Sequence, residues 1–167
     1  LRHSSLCSKA NHKNISKAPR QNRFPLSYAQ QRLWFLYRLE PESPAYHMTG
    51  GVRVHTPLNP EWLRRSFEEI IYRHESLRTS FVEGDNQPWQ VIQRPYRLEI
   101  EQIDSPVQHE FEVRNYLKRL ADESSRVPYD LASGNLFRVT LVRIAPEDFF
   151  LLINMHHIIS DGWSVGV

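Results

Sequence analysis

Residues 149–153 read Phe-Phe-Leu-Leu-Ile, apolar at every position. A strand with one wet face alternates apolar and polar side chains, so a run without alternation predicts a strand covered on both faces. That strand demands a packing layer on each side of its sheet. The run ends in Asn154-Met155-His156-His157-Ile158-Ile159-Ser160-Asp161-Gly162-Trp163-Ser164. Two imidazoles therefore leave the end of a buried strand, with an Asp-Gly turn behind them.

The rest of the chain supplies the layers. Ser27 and Gln30 form a Ser-x-x-Gln capping box that opens a first helix. Ala29, Leu33 and Leu36 mark one face of it, and Pro41 and Pro44 stop it. Residues 46–55 read as a strand in which Gly50 and Gly51 predict a bulge or a close backbone approach. Asn59 followed by Pro60 opens a second helix, with Leu63, Phe67, Ile70, Ile71 and His74 at amphipathic spacing. Residues 78–82 and 89–93 form a hairpin around Gly84-Asp85-Asn86, and residues 97–103 add a strand. Residues 107–125 make a third helix ended before Pro128, and 136–144 pairs with 149–155 around Pro146-Glu147-Asp148. Helices interleaved with strands and hairpins predict an α/β sandwich, not a barrel or a bundle.

With 167 residues the chain is sized for one domain, and 40% hydrophobic against 24% charged residues is ordinary for a folded globular body. The net charge of +2 conceals a biased start. Arg2, Lys9, Lys13, Lys17, Arg20 and Arg23 fall within residues 1–23, which contain no acidic residue. No aromatic precedes Phe24 and no amphipathic stripe runs through this stretch, so a solvated interdomain linker is favoured over a nucleic-acid or membrane contact. Cys7 is the one cysteine, which excludes an intrachain disulfide and a multi-cysteine metal site and makes a reducing cytoplasm the simplest compartment. No apolar run approaches the ~20 residues of a membrane span. The start, Leu1-Arg2-His3, has neither a signal-peptide core nor an initiator Met, and predicts a piece of a longer protein.

An imidazole with an ordinary pKa near 6.5 can exchange a proton close to neutrality. Because side chains alternate along a strand, one of the two adjacent histidines can face a cleft while the other turns inward. Asp161 could orient an imidazole, bind a metal or hold the loop. A metal is the weakest option: zinc sites commonly take three or four ligands, and the remaining histidines make no helical His-x-x-x-His pair. A nucleophilic hydrolase lacks support as well, since no Gly-x-Ser-x-Gly elbow occurs. General base chemistry by His157 remains, in an acyl-transfer setting.

Three segments carry a family resemblance: Ser27-Tyr28-Ala29-Gln30-Gln31-Arg32-Leu33-Trp34-Phe35-Leu36; Arg73-His74-Glu75-Ser76-Leu77-Arg78-Thr79-Ser80-Phe81; and residues 155–164 with the His-His-x-x-x-Asp-Gly frame. In that order they resemble the first three core motifs of nonribosomal peptide synthetase condensation domains. The resemblance covers residues 24–167 and implies the N-terminal lobe of a two-lobed, chloramphenicol acetyltransferase-like domain, with a mixed, largely antiparallel sheet packed by helices. Residues 1–23 are then the interdomain linker.

The resemblance also implies a reaction: peptide-bond formation between thioesters carried on the phosphopantetheine of upstream and downstream carrier domains, beside an adenylation domain of the same synthetase. No cofactor is expected on the domain itself, and neither nucleic acid nor a membrane is an expected partner. His157 matches the catalytic second histidine, with His156, Asp161 and Gly162 in the same motif. Asp161 matches a structural position, with Arg78 as its expected ion-pair partner, and Gly162 is expected to leave room for the thioester. Arg32, Trp34, His74 and Glu75 are expected to support the site from around it. Trp163 and Ser164 after Gly162, and His156 in place of aspartate, resemble ordinary condensing domains rather than epimerising or heterocyclising ones. Residues 39–47 resemble the type joining two L-configured residues, with His47 where Asn is commoner. Two other readings stay open: a non-catalytic fragment of such a domain, and a free-standing coenzyme A-dependent acyltransferase.

Overall fold

The computed structural model describes residue 19 and residues 21–84 and 86–164. Cys7, Asp85 and nearly all of the expected linker lie outside the described residues. The elements run β1 (Arg23–Pro25), α1 (Tyr28–Leu39), β2 (His47–Val54), α2 (Pro60–Arg73), β3 (Thr79–Glu83), β4 (Pro88–Ile92), β5 (Ile100–Asp104), α3 (Glu110–Ser125), β6 (Phe137–Ala145) and β7 (Asp148–His156). One-turn 3-10 helices at Pro44–Tyr46 and Glu75–Arg78 lead into β2 and β3.

The helix starts follow local chemistry. Ser27 Oγ accepts from the Gln30 backbone N–H at 3.3 Å, and Gln30 Oε1 accepts from the Ser27 N–H at 2.9 Å. Both bonds of the capping box are therefore present, and they satisfy N–H groups that have no partner inside the helix. At α2, Asn59 Oδ1 accepts from the Glu61 and Trp62 N–H groups, and Pro60 occupies the first turn where no N–H is needed.

Among the described residues the strands form two sheets. Three strands pair antiparallel in the order β1-β4-β3, and four pair as β2-β7-β6-β5, antiparallel except for parallel β5 and β6. The fold takes up the chain at the last residues of the expected linker: Arg23 pairs with Val91 in β1, and the Ile92 N–H donates to the Asn22 carbonyl at 2.8 Å. A three-residue strand is too short to show a period in sequence.

β7 lies between β2 and β6 and is covered on both faces, as its apolar run predicts. Phe149, Leu151, Ile153 and Met155 face a core shared with Leu33, Trp34 and Tyr37 of α1, with Leu63, Phe67 and Ile71 of α2, and with Phe81 of β3. On the opposite face Phe150 joins Val113 and Leu117 of α3 and Val142 and Ile144 of β6. No bulge occurs at Gly50 or Gly51, because β2 and β7 stay in register from His47 opposite His156 to Val54 opposite Phe149. Gly51 instead makes room for the Phe150 ring, into which a Cβ would project; the irregularity lies between Arg143 and Ala145.

Candidate active site

The end of β7 separates the two histidines. His156, the last strand residue, is 3% exposed and sits opposite His47 of β2. His157 begins a turn and is exposed. Its backbone N–H donates to the Tyr46 carbonyl at 2.8 Å, so the start of β2 anchors the turn. His156 Nδ1 accepts from the Ile158 N–H at 3.1 Å. A neutral His156 therefore carries its proton on Nε2, and its ring stays behind the turn that presents His157.

His157 opens into a cleft of about 620 Å³ between α1 and the loop after β7, shared with Ser27, Arg32, Leu33, Tyr46, Asp161 and others. Gln30 Nε2 reaches the Ile158 carbonyl at 3.5 Å, linking the capped start of α1 to that loop. Asp161 Oδ1 accepts from the Ser164 N–H at 2.8 Å and from Ser164 Oγ at 2.6 Å. These bonds favour the carboxylate and hold its pKa below the ordinary aspartate value, so it is ionised at neutral pH.

The expected ion pair between Arg78 and Asp161 is not formed. Arg78 Nη1 donates to the Gln93 carbonyl at 2.6 Å, and Nη2 lies 3.4 Å from Glu75 Oε1. Arg78 ends the 3-10 turn before β3, where the Gln93 carbonyl and Glu75 engage Nη1 and Nη2 and the buried Nε has no partner among the described residues, whereas Asp161 lies in the loop after β7. Ser164, three residues on, supplies what Asp161 needs.

A Cβ at Gly162 meets no described atom within 4 Å, so the space beside it is open. The residue borders an apolar groove of about 480 Å³ along β2 and β7, beside Gly50, Gly51 and Met155. Arg32 is brought to the His157 cleft, exposed. Trp34 packs on the core with its ring 5.9 Å from that of Tyr37, and His74 caps the end of α2 through its backbone N–H to the Ile70 carbonyl. Glu75 is engaged with Arg78.

Behind the histidines lies a polar belt that the motif-based reading misses. His47 Nδ1 is 2.7 Å from the Ser125 carbonyl, at the last residue of α3. Thr49 Oγ1 donates to Asn154 Oδ1 at 2.7 Å, and Asn154 Nδ2 donates to Ser124 Oγ at 2.8 Å, although Asn154 is only 1% exposed. His47 and Thr49 face His156 and Asn154 pair by pair. The available signal was the period of two, which puts these polar residues on one face of otherwise apolar strands.

Burial sets the charge of this belt. His156 is pushed down to about 4, first by desolvation and then by the fields of His47 and His157. His47 is lowered too, by desolvation and by Arg138, against the raising effect of its bond to Ser125. Both rings are neutral near pH 7. The Tyr129 ring stands edge-on to His47 at 4.8 Å, and burial pushes its phenol up to about 12. Among the described residues no three His, Cys, Asp or Glu side chains converge as a metal site would require. No helix there is long and apolar enough to cross a membrane.

Residues 20–167 match the family model of the condensation domain. The chain belongs to the condensation domain family. It is 42% identical over 149 residues to a linear gramicidin synthase of Brevibacillus parabrevis, covering 89% of this chain and 2% of that protein. Against phosphinothricin tripeptide synthetase PhsC of Streptomyces viridochromogenes it is 36% identical over 143 residues, 86% of this chain and 13% of the relative. Among solved structures, the starter condensation domain of rhizomide synthetase superposes with a TM-score of 0.74 at 25% identity, over 86% of this chain and 36% of that one. The first condensation domain of the calcium-dependent antibiotic synthetase gives 0.72 at 20% identity, over 82% and 33%. The expected α/β condensation-domain fold is thus the fold observed. The chain spans a few per cent of the first synthetases it matches and about a third of the solved condensation-domain chains.

Proposed function

We propose that this chain is the histidine-bearing lobe, residues 24–167, of a condensation domain that forms peptide bonds within a larger synthetase, preceded by a basic linker over the first 23 residues. The observation that carries this reading is His157: an exposed imidazole at the end of a buried strand, open to a cleft and held by the Tyr46 carbonyl. The substrates are an acceptor amine and a donor thioester, each on the phosphopantetheine arm of a carrier domain, with an adenylation domain as a further partner. The setting is cytoplasmic.

The acceptor nitrogen attacks the donor carbonyl, forming the C–N bond as the carbonyl electrons move to oxygen. His157 takes the proton the nitrogen sheds. Collapse of the tetrahedral species breaks the C–S bond, and the proton returns to the departing sulfur, so the products are an amide and a free thiol. Base catalysis of this kind contributes about 10²- to 10⁴-fold, and holding two tethered reactants in line contributes ~7 to 11 kcal/mol more at best. Asp161 organises the loop through Ser164, and Gly162 leaves the approach clear. A side chain added at Gly162 would act on whatever faces the loop, since no described residue touches it.

The test is amide formation between two loaded carrier domains. The full-length protein should turn over and its His157→Ala variant should lose at least 100-fold in rate with its fold intact. Wild-type turnover by His157→Ala would refute the base assignment. The chain spans about a third of the solved condensation-domain chains it matches, and by itself it should be inactive; condensation by it alone would overturn the division into lobes.

A further inference from the structure

We propose that His47 is a positioning residue for His157, acting through the polar belt that joins the start of β2, the end of β7 and the C-terminus of α3. The inference rests on the function proposed above. The last carbonyls of a helix have no partner inside it, and at α3 the Ser125 carbonyl lies 2.7 Å from His47 Nδ1. A carbonyl can only accept, so Nδ1 bears the proton and donates. That bond ties β2 to α3 at the residue standing directly opposite His156.

The tie reaches His157 by two short routes. Tyr46, next in chain to His47, accepts the His157 N–H through its carbonyl. The His47 ring also lies edge-on to the His156 ring, with centroids 5.8 Å apart, and His156 Nδ1 accepts the Ile158 N–H on the other side of His157. The backbone on both sides of His157 is therefore fixed to groups whose place His47 decides. Tyr129 stands edge-on to the His47 ring at 4.8 Å, with Arg138 3.8 Å above the Tyr129 ring. Loss of the His47 donor leaves the Ser125 carbonyl without it and frees the start of β2 to shift, carrying Tyr46 along. A misplacement of ~1 Å at a reacting group can cost about 100-fold in rate.

The side-chain geometry supplies its own control. Asn places an amide N–H at the position of His Nδ1, Leu has the same branched shape with no donor, and Gln moves the donor one carbon outward. Condensation between two loaded carrier domains is measured on the full-length protein, its His47→Asn, His47→Leu and His47→Gln variants, and a thermal melt of each. The histidine ring signals are followed by NMR in the same samples. Expected for His47→Leu is a kcat lower by about 10- to 100-fold at unchanged KM, with the His157 ring signals displaced. His47→Asn should return within ~3-fold of wild type with His157 signals restored. Wild-type kcat and His157 signals in His47→Leu would overturn the proposal, and so would equal loss in the Asn and Leu variants. Should His47→Leu fail to fold, the Asn and Gln pair decides, and equal rates in those two overturn it. A wild-type protein that forms no amide would sink the proposed reaction instead, and the His157 signals would then decide the positioning role alone.

Discussion

A buried histidine in the family's signature motif makes a quantitative acid-stability prediction. His156 is 3% exposed and its folded-state pKa is about 4, against an ordinary value of 6.5. Above pH 6.5 the ring is neutral in the folded and unfolded chain alike, and it contributes no pH dependence. Between 6.5 and about 4 the unfolded chain takes up a proton that the native state refuses, so stability falls as the pH falls. At 1.36 kcal/mol per pH unit the loss approaches ~3 kcal/mol by pH 4 and levels off below it. His47, also lowered, adds to the loss in the same direction. Asp161 and Asp148 are depressed as well, but their contribution is lost below the ordinary aspartate value, outside this window. A total stability of about 5 to 15 kcal/mol makes the loss a large fraction.

The assay is urea unfolding at pH 7.5 and 4.5 on the wild type and on His156→Asn. Asn keeps an acceptor where Nδ1 receives the Ile158 N–H, yet it does not titrate. The wild type should lose about 2 to 3 kcal/mol more than the variant across this interval, moving its midpoint by ~1 to 2 M urea relative to the variant. Equal losses in the two proteins, or a His156 ring signal titrating near 6.5, would refute the reasoning that burial keeps this ring neutral.

Two further perturbations test the scaffold. Ser27→Ala removes the side-chain acceptor of the α1 capping box and should cost ~1 kcal/mol in a denaturant titration, with Gln30→Ala costing less than Ser27→Ala in the same assay. Gly51→Ala drives a Cβ into the Phe150 ring and should destabilise by about 1 to 3 kcal/mol, while Gly50→Ala, whose Cβ meets nothing within 4 Å, should change the melting midpoint little. Equal effects at the two glycines would contradict the β2 to β7 register.

What was legible in the sequence was what short-range chemistry decides. Ser27 with Gln30, and Asn59 with Pro60, specify their helix starts within three residues, so the starts of α1 and α2 could be placed without knowing what they pack against. The unbroken apolar run of β7 announced a strand covered on both sides, and the order of the three motifs placed the chain in its family. The tertiary structure decided which long-range pairs form. Arg78 and Asp161 have complementary charges and stand in motifs of one site, but Arg78 ends the turn before β3 and Asp161 lies in the loop after β7, and nearer partners, Glu75 and Ser164, engage them instead. His47 read as a departure from a common residue until the register set it opposite His156 and against the end of α3. A capping bond closes over three residues and can be read from spacing alone. The bond from His47 to Ser125 spans 78 residues and depends on how two strands and a helix come together, which only the folded chain determines.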